Sequence, residues 1–177
     1  MAHISDLRAG IFTYLDIFKG TQPTAALSDT PAECAALFVT PTAGHVVRLP
    51  SVREFPSIGT PANIVNVPVY GQATSSQVQG QSDAPNLEVT VNYNANDMEQ
   101  FHTMIGDPVI FRFMMCSAST TETAAAAATL ATPNTEFYFR GKIEAILVNP
   151  SLTDATTATM TLSTQSDFFG PATIAAS

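Results

Sequence analysis

The segment NLEVTVNYNANDMEQFHTMIGDPVIFRFMM, residues 86–115, limits the possible fold more than any other part of the chain. Apolar and polar residues alternate at its start, which predicts a strand with one buried face. Asn94 or Asn96 can then cap a helix, and Gly106 can end it. The almost wholly apolar stretch Val109–Cys116 predicts a central strand buried on both faces. The segment therefore predicts a β-rich domain with a helix packed on its sheet.

Proline is frequent in the Pro-rich segment 23–85, which excludes long helices and central strands there. Short edge strands are predicted around Ala36–Thr40, His45–Leu49 and Ile64–Tyr70. Gly71–Pro85 is polar with glycines at its turns, so it is predicted as a surface loop or flexible hairpin. Before this segment, a helix beginning after Ser5 and a strand over Ile11–Phe18 are both compatible with the pattern.

The second half of the chain adds further strands. Phe137–Val148 is the strongest, with Phe137, Phe139, Ile143, Ala145 and Leu147 expected on one face and Arg140, Lys142 and Glu144 on the other. Thr157–Thr164 alternates again. Ser117–Thr135 is low in complexity and is expected to be a mobile insert. The predicted fold is mainly β, a β-sandwich or barrel with one flanking α-helix, as a single domain over residues 1–177.

Composition indicates a surface that is covered by Thr, Ser, Asn, Gln and backbone groups, or by other protein copies, which is a first hint of an assembly subunit. Charged residues make up only 12% of the chain, about half the usual share of roughly 25%. The net charge is −8, of which residues 1–80 contribute −1 (five acids, four bases) and residues 81–177 contribute −7 (ten acids, three bases). Such a surface is a poor binder of nucleic acid or of an anionic membrane.

Residues that could carry chemistry are scattered. Cys34 and Cys116 form no metal-binding motif and are expected to be free thiols in a reducing cytoplasm. His102 lies one helical turn from Glu99, which is a common surface pair. No nucleophile elbow or phosphate-binding glycine motif occurs. We therefore expect neither an enzyme nor a bound cofactor or metal.

Arg112 stands alone in an apolar strand and must find a partner if it is buried. A structural ion pair with Asp107, Glu136 or Glu144 is the favoured role, and pairing across a subunit interface is the second.

The order of segments also carries a resemblance. A Pro-rich segment, VREFPSIGTPANIVNVPVYGQ, precedes GQSDAPNLEVTVNYNANDMEQFHTMIGD, then PVIFRF, a variable insert, FYFRGKIEAILVNP and a polar-faced last strand. Over about residues 50–170 this order resembles the major tail tube protein of long, non-contractile-tailed bacteriophages. The Ala/Thr-rich insert is longer than that pattern implies.

The resemblance implies a structural virion protein that closes into rings, usually six-fold, which stack into the tail tube. Its implied partners are further copies of itself and other tail proteins, namely the tape measure, terminator and distal tail proteins. Double-stranded DNA would pass through without specific binding, and no membrane is involved. The implied location is the virion tail, with assembly in the host cytoplasm.

Within that reading, certain residues are expected to face the lumen or to make subunit contacts. Candidates for the lumen form two sets on separate strands, the first with Glu88, Thr90 and Asn92 and the second with Thr157, Thr159, Thr161 and Ser163. The Arg140, Lys142 and Glu144 face ranks below them because two of its residues are basic. Candidates for interface loops are Gln72, Gln77, Gln79 and Glu122. The alternative function is a chaperone–usher-type pilin or fibre subunit, which would use its two cysteines in a disulfide.

Overall fold

A computed structural model describes residues 13–20, 30–39, 45–59, 63–71, 73–80, 85–116 and 134–174. Its strands are β1 Thr13–Phe18, β2 Val46–Arg48, β3 Val52–Glu54, β4 Ile64–Val67, β5 Ser76–Gln79, β6 Asn86–Asn92, β7 Pro108–Cys116, β8 Asn134–Asn149, β9 Thr157–Thr164 and β10 Phe169–Ile174. Its helices are α1 Pro31–Val39 and α2 Ala95–His102.

Eight strands form one sheet that curls into a half-barrel. Seven of its strands follow the order β2-β1-β7-β8-β9-β6-β3, and the eighth strand, β10, pairs with β8 outside this order. All pairings within it are antiparallel. The remaining strands, β4 and β5, form a separate two-stranded sheet. The prediction of a mainly β fold with helical additions is confirmed.

The main core covers one face of the large sheet. It collects the inward positions of β1, β6, β7, β8 and β9 together with the buried side of α2. Asn94 caps α2 by accepting a hydrogen bond from the backbone of Asn96, as the sequence predicts. Met98 and Phe101 pack inward, but His102 is exposed and Ile105 is 41% exposed. The spacing of Met98, Phe101 and Ile105 predicts a helical face shared with His102. The helix ends at His102, however, and Met104 enters the core in place of Ile105.

The second face of the sheet is partly covered by α1, which the sequence did not predict. Residues 36–40 were expected to form an edge strand, yet Ala36 lies inside a helix that begins at Pro31. Proline is well suited to the first helical position, where its missing N–H costs nothing. Alanines, Leu37 and Glu33 then support the helix. Cys34 and Phe38 pack from it onto the sheet, so helices lie on both faces rather than one.

A β-bulge in β8 corrects the predicted alternation of that strand. Ile143 pairs with Leu162, but Ala145 pairs with Thr161, so Glu144 is the extra residue. Beyond the bulge the faces exchange. Ile146 packs against the core, and Leu147 is 60% exposed on the other side. The expectation that Ala145 and Leu147 continue the core face of Phe139 is therefore wrong.

The remaining predictions for the first half are resolved by the paired strands. Of the alternatives before the Pro-rich segment, the strand is observed over residues 13–18, and residues 1–12 lie outside the described part. The edge strands expected near His45–Leu49 and Ile64–Tyr70 are present as β2 and β4. The expected hairpin at Gly71–Pro85 contains β5. Residues 117–133 of the insert lie outside the described residues, and its last two residues begin β8.

Candidate functional site

The two polar sets predicted from alternating strands lie side by side on one face of the sheet. β6 and β9 are neighbours, and Cα partners in an antiparallel pair share a face. The pairs Glu88 with Thr161, Thr90 with Thr159, and Asn92 with Thr157 are formed directly opposite each other. We call this surface the open polar face; it comprises Glu88, Thr90, Asn92, Thr157, Thr159, Thr161 and Ser163.

The open polar face continues onto β3 and β8. Glu54 pairs with Thr90 from one side, and Lys142 pairs with Ser163 from the other. The Glu144 carboxylate accepts a hydrogen bond of 2.5 Å from Ser163 Oγ, which orients it over this surface. Carboxylates at Glu54, Glu88 and Glu144 thus outnumber the Lys142 ammonium. The face is hydroxyl-rich and acidic, and Leu147 is an exposed apolar residue within it.

Arg140 belongs to the β8 residues that the sequence ranked below the other lumenal candidates. It shares its face of β8 with Lys142, is half-buried, and pairs with Ile110 of the cluster that includes Cys34 and Phe38 of α1. Its backbone N–H donates to Ser166 Oγ at 2.9 Å. The three predicted sets are therefore parts of one continuous face, with the basic residues on its margin.

The β4–β5 hairpin is a second unusual surface, and we call residues 63–80 the arm. The paired residues run from Ile64 opposite Gln79 to Val67 opposite Ser76. Every residue of both strands is exposed. Its exposed apolar side chains are Ile64, Val65, Val67, Val69, Tyr70 and Val78. An isolated two-stranded hairpin is at best marginally stable in water, so this arm has the properties of a segment that another surface covers.

The interface residues predicted from sequence are distributed unevenly. Gln77 and Gln79 lie on β5 and are exposed on the arm. Gln72 and Glu122 lie outside the described residues. The sequence indicated the arm only through its polar composition and glycines. The valines of the preceding segment were predicted to lie in a short edge strand around Ile64–Tyr70.

A buried ion cluster lies on the second face of the sheet beneath α1. Arg112 Nη2 donates to Asp16 Oδ2 over 2.5 Å, and Arg48 Nε donates to Asp16 Oδ1 over 2.8 Å. Arg112 Nη1 is 4.0 Å from Glu136 Oε1, and the Tyr138 hydroxyl donates to Glu136 Oε2. Asp16, Arg112 and Glu136 are all at most 2% exposed. The cluster is thus two carboxylates balanced by two guanidinium groups.

Aromatic rings complete the surroundings of the cluster. The Arg112 guanidinium lies 4.6 Å from the centre of the Phe38 ring, and that of Arg48 lies 4.5 Å from the Tyr14 ring. Burial alone would lower the pKa of Arg112, but Asp16 and Glu136 raise it above its ordinary value. Burial, followed by the neighbouring Glu136, raises the pKa of Tyr138. Arg112 therefore stays charged and Tyr138 stays neutral at physiological pH, which suits a structural role.

Sequence reasoning named only part of this cluster. Of the partners expected for Arg112, Glu136 is close, whereas Asp107 and Glu144 are exposed. Asp16, the nearest partner, was missed. The signal was present, because Asp16 interrupts the apolar strand TYLDIF as Arg112 interrupts PVIFRFMMC. A single acidic residue in one apolar strand and a single basic residue in another predict that the two strands lie side by side.

Other chemistry is sparse among the residues that the structure describes. Cys34 and Cys116 are buried in separate apolar clusters and form no disulfide with each other. Burial raises the pKa of Cys116. No group of three His, Cys, Asp or Glu side chains in the described ranges is placed to hold a metal ion. Within the same ranges, no helix has the length and hydropathy needed to cross a bilayer.

No protein-family model matches the chain, and no curated protein matches its sequence.

Proposed function

We propose that this chain is a structural subunit that assembles into stacked rings, forming a tube like that of a bacteriophage tail through which genomic DNA passes. The exposed apolar arm is the observation that carries this proposal. Its apolar side chains contribute little to stability while they remain in water. Covering them with another copy would stabilise the assembly by about 25 cal/mol for each Å² of apolar surface removed from water. The small share of charged residues in the chain, 12%, supports the same proposal.

The open polar face supports a conduit rather than a binding surface for DNA. A duplex held by Lys and Arg would release bound counterions and adhere to the wall. Here hydroxyl groups and the carboxylates of Glu54 and Glu88 dominate the face, so a passing polyanion would be repelled weakly and kept away from the wall. We place this face toward the lumen, and α2, on the opposite face of the sheet, away from it.

Assembly is the direct test of the proposal. The purified chain should form rings or tubes as its concentration rises, observed by light scattering after size-exclusion chromatography and by negative-stain electron microscopy. The variant Val65→Ser/Val78→Ser removes two exposed apolar residues that pair across the arm, and should raise the concentration needed. A chain that stays monomeric at every concentration, also with tail extracts present, would overturn the proposal.

Reversing the charge of Glu88 should alter DNA passage without altering assembly. Glu88 is exposed on the open polar face, so Glu88→Lys places an ammonium group where phosphates pass. We expect slower genome ejection from particles carrying this variant, most strongly at low salt, where screening is weakest. Ejection is followed by the fluorescence of a DNA-binding dye.

Glu99→Lys is the matched control for this variant. Glu99 is exposed on α2, on the opposite side of the sheet, and the change in charge is identical. It should leave the ejection rate unchanged. If Glu88→Lys and wild-type particles eject DNA at equal rates at low salt, either Glu88 does not face the lumen or the charge of the wall does not affect ejection.

A pilin or fibre subunit is the alternative assembly protein. It would stabilise its sandwich by a disulfide in an oxidising compartment. The separate burial of Cys34 and Cys116 favours the tube over the pilin.

A further inference from the structure

A cavity of about 450 Å³ opens at the base of the arm. Phe137, Phe168 and Ile58 supply apolar walls, and all three also pack against the main core. Gln79 and Asp167 add polar groups, and Gly59 and Gly170 complete the lining without side chains. The cavity lining therefore combines aromatic and aliphatic side chains with an amide and a carboxylate, in comparable measure. This combination suits a ligand that is apolar along its body and carries a hydrogen-bond donor at one end.

Tyr70 has this chemistry, and it lies at the far end of the same arm. It is fully exposed beside the turn residue Gly71, which adopts a φ of +82°. Tyrosine combines a large apolar ring with one hydroxyl donor, which makes it a frequent anchor at protein interfaces. In the free subunit this fully exposed tyrosine, next to exposed Val69, buries none of its apolar ring.

We propose that Tyr70 of one copy inserts into the cavity at the arm base of the next copy. The ring would pack against Phe137 and Phe168, and the hydroxyl would donate to the Asp167 carboxylate. Tyr70 is fully exposed, and the cavity of its own subunit lies at the opposite end of the arm beside Gln79, so Tyr70 does not occupy that cavity. The inference rests on the proposed function, because it concerns how assembled copies contact one another.

The position of donor and acceptor determines the kind of assembly. Tyr70 is six residues beyond Ile64, which pairs with Gln79 at the base. Extended chain of that length spans at most about 20 Å. Two different surfaces meet in this contact, so it is heterologous and does not close on itself as a two-fold dimer does. Repeating it generates either a closed ring or an open stack of copies, and the proposed tube contains both kinds of contact.

A cysteine pair tests the contact directly. In Tyr70→Cys/Asp167→Cys, oxidation of the two thiols by copper phenanthroline removes two electrons and two protons and forms one disulfide. We expect a ladder of linked chains on a non-reducing gel of the assembled protein, collapsing to single chains after reduction. Leu152→Cys/Asp167→Cys is the control, because Leu152 is fully exposed outside the arm. Native Cys34 and Cys116 are buried, and the parent chain serves to measure their background.

Substitutions of Tyr70 separate this inference from the proposed function. Tyr70→Ser should raise the concentration needed for assembly roughly tenfold or more, while Tyr70→Phe, which keeps the ring, should raise it less. Leu152→Ser should behave as wild type. If the wild-type chain assembles, but Tyr70→Ser assembles equally well and the cysteine pair forms no ladder, the contact is wrong and the tube proposal survives. If the wild-type chain never assembles, both fail.

Discussion

Replacing Arg112 with methionine should lower the free energy of unfolding by about 3–5 kcal/mol, the usual cost of breaking a buried ion pair. The guanidinium is 2% exposed and neutralises Asp16 and Glu136, which are 0% and 1% exposed. Methionine fills similar space but leaves the two carboxylates with Arg48 as their nearby cation. Urea unfolding followed by circular dichroism measures the loss.

Arg53→Met is the matched control for this prediction. Arg53 is exposed on the short edge strand β3, so its loss should change stability by less than about 0.5 kcal/mol. Arg112→Lys retains the charge but not the planar fork, and should cost less than methionine. If the free energy of unfolding of Arg112→Met lies within about 1 kcal/mol of the wild-type value, the cluster is not stabilised by its charges.

Replacing Gly141 with alanine should be the other strongly destabilising change. A Cβ at this position would overlap the Ser163 carbonyl oxygen and would lie 3.2 Å from the Phe111 ring. The first atom belongs to the backbone of the neighbouring strand, so β8 and β9 would have to separate locally. Overpacking usually costs about 1–3 kcal/mol, and a clash with backbone should reach or exceed the top of that range. Thermal unfolding provides the measurement.

Gly80→Ala distinguishes this clash from the general cost of losing a glycine. A Cβ at Gly80 would meet its nearest neighbour, Val65 Cγ2, at 3.4 Å, which is ordinary contact. The control should therefore be nearly neutral. An unchanged melting temperature for Gly141→Ala would mean that β8 and β9 adjust without loss, and that their close approach is not required.

Periodicity predicted those parts of the fold in which one face of a strand is buried. The alternation in β6 and β9 identified their outward residues, and the capping asparagine located α2. The failures have local causes. Helix α1 was missed because proline was read as a breaker, although Pro31 occupies a position where it is tolerated. The faces beyond residue 144 were reversed because a bulge leaves no clear mark in the sequence.

The candidate surfaces show what alternation omits. It separates outward from inward residues within a strand, but it does not say which strands are neighbours. Glu88 and Thr161 were therefore assigned to separate sets, whereas they face each other across β6 and β9. The arm was predicted only in parts for a related reason. Its valines predict a strand, and only the pairing shows that β4 joins β5 alone and stays outside the main sheet.

The buried ion cluster has a consequence for how the strands find their alignment. Asp16, Arg112 and Tyr138 are direct neighbours in a row across β1, β7 and β8. Sliding a strand by two residues would keep every apolar side chain on its proper face, so burial alone discriminates poorly among such shifts. The same slide would move Arg112 away from Asp16 and bury both charges without compensation. The ion pair between Asp16 and Arg112, which are 96 positions apart in sequence, thus favours one alignment of the central strands.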